Sequence, residues 1–210
     1  MLETLWVKPC SIEYYFYDII TRYNYSLLKN MLKSKNVSRA DNQQERLIKI
    51  GWIVGFVDGE GCFSINFVKQ PDRKAGLRIR KGYKIGYQIA YDFTTVQGES
   101  SLRSLKKMKN YFKVGGIYIN RRKDNHKENL YRYCVRRKED LLNVIIPFFQ
   151  KYPLQTVKRK DFELFVKCMK LIEKNKHLTK AGAIKIAQLS EKMNHKKSRA
   201  NLIRILRNQT

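Results

Sequence analysis

The chain has 210 residues, and its 44 Lys and Arg against 18 Asp and Glu leave a net charge of +26 at pH 7, with a pI near 10.0. Such a field calls for a polyanionic partner, nucleic acid first and an anionic membrane surface second. At 43% hydrophobic residues, with 10 Phe, 13 Tyr and 2 Trp, the chain is too apolar for a disordered basic tail and can bury a sizeable core.

Cys10, Cys62, Cys134 and Cys168 are scattered without metal-ligand spacing, which argues against a disulfide framework and fits a reducing compartment. His126, His177 and His195 are equally dispersed, so neither a zinc finger nor a histidine-metal nuclease has support. No secretory signal opens the chain, and Glu3, Glu13 and Asp18 argue against an acid-poor transit peptide. A non-secreted protein of one domain, or one domain with an appendage, is expected.

Residues 1–45 form a compositional zone of their own. Ile12, Phe16, Ile19, Tyr23 and Leu27 recur at helical spacing, which predicts a helical extension, and the polar run Asn36–Gln44 predicts a linker. The main domain is expected over 46–210. It opens with a helix to about Gly59, in which the apolar stretch Ile53-Val54-Gly55-Phe56-Val57 runs into Asp58, Gly59, Glu60 and Gly61. Gly51, Gly55 and Gly59 share one helical face, and a face without side chains lets another backbone approach closely. A membrane-spanning role for this stripe fails, because the apolar run is too short and carries two acids. Those acids stand at the helix C-terminus, where the macrodipole opposes carboxylates unless a cation compensates them. The segment reads as a tight helix–helix interface that delivers a metal-binding carboxylate; the alternative is a buried amphipathic helix capped by Gly61.

Period-two strands follow. Phe63, Ile65 and Phe67 alternate with Ser64, Asn66 and Val68. A basic hairpin over Pro71–Gly82 then leads to Ile89, Tyr91 and Phe93, alternating with Gln88, Ala90, Asp92 and Thr94. Ser100–Phe112 reads as a helix with Leu102, Leu105, Met108 and Phe112 on one face. Two more strands follow: Ile117 and Ile119 alternate with Tyr118 and Asn120, and Tyr131, Tyr133 and Val135 alternate with Arg132, Cys134 and Arg136. From Lys138 the pattern is helical, broken around Pro147 and Pro153. Four strands with one apolar and one polar face, backed by helices, predict an α+β half-barrel or saddle. An ordinary solvated sheet face is the alternative for the polar side, but the charge of +26 favours binding. Asn66 and Gln88 suit adenine and Asp92 suits cytosine in a major groove, with Arg78 and Arg80 supporting them from the hairpin. Gly116-Ile117-Tyr118 matches half of the GIY-YIG nuclease signature, but no Tyr-Ile-Gly follows, and the triplet fits a strand start.

The segment Ile53–Gly61 resembles the LAGLIDADG motif of homing endonucleases, with Gly59 in place of a frequent alanine. Pro147–Phe162, with its Tyr152-Pro153-Leu154 and Thr156-Val157-Lys158, resembles a second recurrent block of that family. Leu178-Thr179-Lys180-Ala181-Gly182 is similar to the C-terminal block of organellar intron-encoded members. The resemblance covers about 48–200 and implies the αββαββα fold, a curved four-stranded antiparallel sheet forming a DNA-binding saddle. It further implies a site-specific double-strand DNA endonuclease dependent on Mg²⁺, with Mn²⁺ as substitute. Glu60 matches the metal-binding acid, with the Gly59 carbonyl as a second ligand. Gln97, just after the second strand, matches a residue that positions hydrolytic water. Lys158 matches a basic residue of the catalytic water network, with Lys160 as fallback and a plain phosphate contact as the alternative role. Asp58 has a structural role near the helix end as its alternative. A third basic position, near Ser101 and Arg103, stays unassigned. One motif implies a homodimer paired through Gly51, Trp52, Gly55, Phe56 and Gly59 on a pseudo-palindromic duplex. The implied DNA-reading face carries Ser64, Asn66, Val68, Arg78, Arg80, Gln88, Asp92, Thr94, Tyr118, Asn120, Arg132 and Arg136. An organelle or a bacterial cytoplasm is the implied setting. An RNA maturase that assists intron splicing and an inactive DNA-binding regulator are the competing readings.

Overall fold

At Gly61 a helix passes directly into a strand. A Cβ at this position would lie 2.5 Å from Val57 Cγ1 and 2.7 Å from the Val57 carbonyl oxygen, so a residue with a side chain would force the two elements apart. The computed structural model describes residues 39–70, 73–75, 78–121, 128–194 and 198–208. In chain order the elements are α1 (Arg39–Glu60), β1 (Gly61–Lys69), β2 (Arg73–Ala75), β3 (Arg78–Arg80), β4 (Tyr87–Gly98), α2 (Leu102–Phe112), β5 (Gly116–Asn120) and β6 (Leu130–Val135). They continue with α3 (Lys138–Asp140), α4 (Ile146–Lys151), α5 (Lys158–Glu173), α6 (Lys180–Glu191) and α7 (Ala200–Asn208).

The chain divides into two units, Met1–Ile48 and Lys49–Thr210. The first is described only from Arg39, so the helical extension predicted through Ile12 to Leu27 lies outside the described residues. Residues 39–44, expected as linker, are instead the start of α1. Within the second unit α1 buries Ile50, Ile53, Val54 and Val57, spaced at i, i+3, i+4 and i+7, while Gly51, Gly55 and Gly59 face outward.

The sheet is four-stranded and antiparallel, ordered β1-β4-β6-β5, with β2 and β3 forming a separate two-stranded ribbon at the predicted hairpin. Phe63 from β1 stacks on Phe93 from β4 at 5.0 Å, and Phe149, Phe162 and Phe165 close over Phe63 at 5.1–5.7 Å. Each such ring, buried fully, contributes about 1.5–3 kcal/mol. The α+β class and the αββαββα order are those expected from the sequence.

Two local expectations change, and one edge is closed. Pro147 does not break the helix: a π-helical turn, Leu141–Ile145, runs from α3 into α4 just ahead of it. The wider turn gives the pyrrolidine ring room where an α-turn would bring it against a carbonyl. Ile119 is 45% exposed, because β5 is an edge strand of which only Ile117 packs against the core. The free edge of β1 is closed from the C-terminal segment: Asn194 Nδ2 donates to the Phe63 carbonyl at 3.1 Å, and Arg199 Nη2 to that of Ile65 at 3.2 Å. Covering an edge in this way blocks strand addition by another chain.

The C-terminal block builds a helix start. Thr179 caps α6 by accepting from Gly182 N at 3.2 Å, and a Cβ on Gly182 would lie 1.9 Å from the Lys176 carbonyl oxygen. Gly182→Ala is therefore expected to destabilise the fold by about 1–3 kcal/mol through overpacking. Denaturant unfolding reads this directly, and an unchanged midpoint would contradict it.

Candidate active site and nucleic-acid face

The C-terminus of α1 meets the start of α5, about a hundred residues later in the chain. Asp58 accepts from Gln155 N at 2.8 Å and from Thr156 N and Oγ1 at 3.2 and 2.8 Å. Its carboxylate is thus spent on the turn that leads into α5, which is the structural role. Lys158 Nζ donates to the Gly59 carbonyl at 2.6 Å and to that of Val57 at 3.1 Å. An ammonium at this point supplies the compensating cation that the helix terminus requires. Burial pushes the Lys158 pKa below the usual lysine value, while Cys62, Glu60, Asp58 and Asp161 pull it back up. Glu60 and Gly59 are exposed beside it, and the fallback Lys160 is exposed on the first turn of α5. Burial, with a smaller effect from Asp92, raises the Cys62 pKa, so the thiol stays protonated and makes a poor nucleophile.

Gln97 lies within β4 rather than after it. Because Gly61 pairs with Thr95, Gln97 stands two residues past the point where β1 begins, half-buried and on the same side as Phe93 and Thr95. At the unassigned basic position Ser101 is half-buried and Arg103 is exposed. Glu128 has no signal in the sequence, yet its carboxylate accepts from Ser100 N at 2.9 Å and Ser100 Oγ at 3.3 Å and anchors the start of α2 from another segment. Twenty-eight residues separate the partners, so no local pattern announces the pair.

The outer face of the sheet follows the strand register. One row is Cys62, Thr94 and Cys134; the next pairs Ser64 with Asp92; beyond it come Asn66 with Ala90 and Val68 with Gln88. On the other side Val96, Arg132 and Tyr118 align. Asn66, Val68, Gln88, Tyr118, Asn120 and Arg136 are exposed, and Arg132 is half-buried. Thr94 has the expected parity but is only 9% exposed, enclosed between Cys62 and Cys134, so it does not offer a free contact. Asp92 is also not a free acceptor, because Ser64 Oγ donates to its Oδ1 and Arg136 Nε lies 3.7 Å from its Oδ2. Gln88 accepts from Gln70 Nε2 at 2.9 Å. The backbones of Arg78 and Arg80 are in β3, and their side chains lie outside the described residues.

An acid at the end of a glycine-faced helix, tied through lysine to a second helix beneath an antiparallel sheet, is matched over residues 53–169 by the family described as LAGLIDADG endonuclease. The chain belongs to that family.

Among solved structures the LAGLIDADG chain is similar to the homing endonuclease I-TnaI, with 30% identity and a TM-score of 0.62 over 77% of this chain and 97% of that one. It is also similar to I-SmaMI bound to cleaved DNA, with 29% identity and a TM-score of 0.61 over 73% of this chain and 47% of that one. Among curated proteins it is 32% identical to a probable intron-encoded endonuclease of Neurospora crassa over 68% of its own length. The chain spans about a quarter of the length of two of the curated relatives it matches, 25% and 28%.

Along the LAGLIDADG helix, a Cβ built on Gly51, Gly55 or Gly59 meets nothing within 4 Å. A groove of about 560 Å³ runs beside this face, lined by Gly51, Val54, Gly55, Asp58, Lys151, Tyr152, Pro153 and Gln155. Trp52 and Phe56 stand on the neighbouring flank, stacked at 5.1 Å and partly packed on the core, with Lys107 Nζ 5.4 Å from the indole centroid. The open stripe is therefore made by the glycines rather than by these rings.

Among the described residues no three His, Cys, Asp or Glu side chains converge as a metal cage. What one chain offers at the helix end is the Glu60 carboxylate and the Gly59 carbonyl, both hard oxygen donors. A carbonyl oxygen has two lone pairs, so the Lys158 contact leaves one available. This sparse oxygen set fits a Mg²⁺-type ion that keeps waters and takes further ligands from phosphate, and it does not fit zinc.

Proposed function

We propose that the protein is a site-specific double-strand DNA endonuclease of the intron-homing type, acting as a homodimer whose two LAGLIDADG helices lie side by side. The observation that carries this reading is the exposed Glu60 at the end of an open glycine face, with Lys158 fastened to the last carbonyls of the same helix. Pairing through the glycines would bring two Glu60 carboxylates together, and their mutual repulsion would call for a compensating cation. Glu60 and the Gly59 carbonyl would hold Mg²⁺, or Mn²⁺ in its place, which would supply a lowered pKa for water and charge stabilisation on the phosphate oxygens. Lys158 keeps the helix terminus compensated and sets where Gly59 and Glu60 stand. Gln97 orients the attacking water from the end of β4. The intron-encoded names among the relatives support an organellar setting.

The outer sheet face takes the duplex, and the homodimer favours a pseudo-palindrome of about 20 base pairs, two helical turns. Binding is expected to fall steeply with salt, by a slope of about −0.9 in log K against log salt for each neutralised phosphate. Titrations at several salt concentrations measure it, and a flat dependence would turn the basic surface towards something other than DNA.

The deciding experiment incubates the protein with candidate intron-insertion-site DNA in Mg²⁺, in Mn²⁺ and in chelator. A defined double-strand break in either metal, and none in chelator, supports the reading. Specific DNA binding without cleavage would favour a regulator instead, and preference for intron RNA a maturase. Retention of both Glu60 and Lys158 favours the nuclease.

A further inference from the structure

The polar network on the outer face runs across β1 and β4 to the residue that follows β6. Asn66 Nδ2 donates to Ser64 Oγ at 3.3 Å, Ser64 Oγ donates to Asp92 Oδ1, and Asp92 Oδ2 lies 3.7 Å from Arg136 Nε. The strand register produces this line: Ser64 pairs with Asp92 across β1 and β4, and Phe93 with Val135 across β4 and β6, which sets Arg136 opposite Asp92. The two ends differ in exposure, with the Arg136 side chain 58% exposed and that of Asp92 19%. The arginine thus faces outward while the carboxylate beneath it is mostly covered.

From this geometry we propose that Arg136 reads a guanine in each half-site, and that Asp92, steadied by Ser64, is the positioning residue that aims it. The inference rests on the DNA-endonuclease reading and assigns part of its sequence preference. The carboxylate lies nearest Nε of a guanidinium that also reaches the Cys134 thiol, and the side chain as a whole stays exposed, so its Nη groups can be presented to a base edge as a fork. Guanine presents two acceptors, O6 and N7, at the spacing of that fork. A phosphate contact is the competing role for any surface arginine. Here a fixed carboxylate stands beside the guanidinium and opposes the approach of an anion, whereas the neutral edge of guanine meets no such opposition. Restraint at Nε also removes rotamer freedom before binding, and this lowers the entropy lost when the fork engages a base. Asp92 therefore acts through arginine rather than by accepting from cytosine itself. The Asn66–Ser64 hydrogen bond ties a second base-reading candidate to the same line.

The test is equilibrium selection of duplexes from a randomised library by the full-length protein in metal-free buffer, comparing wild type, Arg136→Lys, Asp92→Asn and the double variant. Wild type is expected to favour guanine at one symmetric pair of positions by roughly 5- to 150-fold, the range for a bidentate contact. Arg136→Lys keeps the charge but replaces the rigid fork with a single flexible ammonium, so the preference at that pair should fall sharply. Asp92→Asn should weaken preference at the same pair and nowhere else, and should add nothing in the Arg136→Lys background. If Arg136→Lys retains the preference, or Asp92→Asn still lowers it in that background, Asp92 reads the base itself and the relay is wrong. Uniform weakening of all sequences by Arg136→Lys would make Arg136 a phosphate contact. Enrichment of no sequence by wild type would overturn the site-specific reading itself, a result distinct from preference that the variants leave unmoved. Thermal melting of each variant separates these outcomes from loss of folding, and Arg136→Lys, altered at an exposed position, tests the relay even if Asp92→Asn unfolds.

Discussion

Glu60→Gln should abolish cleavage while DNA binding survives. The substitution preserves volume and shape at an exposed position, so neither packing nor the helix end is disturbed. It removes the anionic donor, leaving an amide oxygen that binds a hard dication far more weakly. A metal that activates water and stabilises the departing oxygen contributes several kcal/mol, so cleavage should fall on the order of 10³-fold or more. Binding in metal-free buffer should hold or tighten, because one negative charge facing the phosphates has gone. Cleavage and gel-shift assays run on the same preparation check both halves. A variant that still cuts at near the wild-type rate in Mg²⁺ would remove Glu60 from the catalytic assignment.

Gly55→Leu should separate folding from assembly. Because a Cβ at position 55 meets nothing within 4 Å inside one chain, the leucine side chain is accommodated by the protomer. Leucine also has a higher helix propensity than glycine, by up to about 1 kcal/mol, so the melting temperature of the isolated protomer should hold or rise. Between two protomers the outcome reverses. Helices that approach through glycine faces have no room for a branched side chain, and forcing one in costs about 1–3 kcal/mol at each of the two symmetric positions. The dimer should dissociate and double-strand cleavage should disappear with it. Sedimentation equilibrium at working concentrations reads the assembly state beside the cleavage assay. A wild-type protein that is monomeric and fully active, or a Gly55→Leu variant that remains a dimer, would contradict pairing through this face.

What could be read from the chain alone was whatever repeats within a few residues. The period-two alternation at Phe63, Ile65, Ile89 and Phe93 placed the strands and their inner faces, and β1 and β4 show that burial. The spacing of Gly51, Gly55 and Gly59 marked the open stripe. Local reading failed where a neighbour absent from the window intervened. Pro147 ought to end a helix, yet a π turn ahead of it accommodates the ring. Thr94 has the outward parity, yet the flanking strands enclose it. Gln97 was expected past the strand, which in fact continues through Gly98.

The fold class, the order of its elements, the acid at the helix end and the likeness to a nuclease family were all legible along the chain, because each is a property of residues close together in it. Only the tertiary structure decided what each polar group does. Asp58 clamps Thr156 from 98 residues away, Lys158 caps Gly59 from 99, and Asp92 holds Arg136 through the pairing of β4 with β6. A carboxylate or an ammonium carries no sign of its partner. Its role is set by whichever partner folding brings within hydrogen-bond or ion-pair reach, and that neighbour is chosen by packing of the core rather than by local pattern.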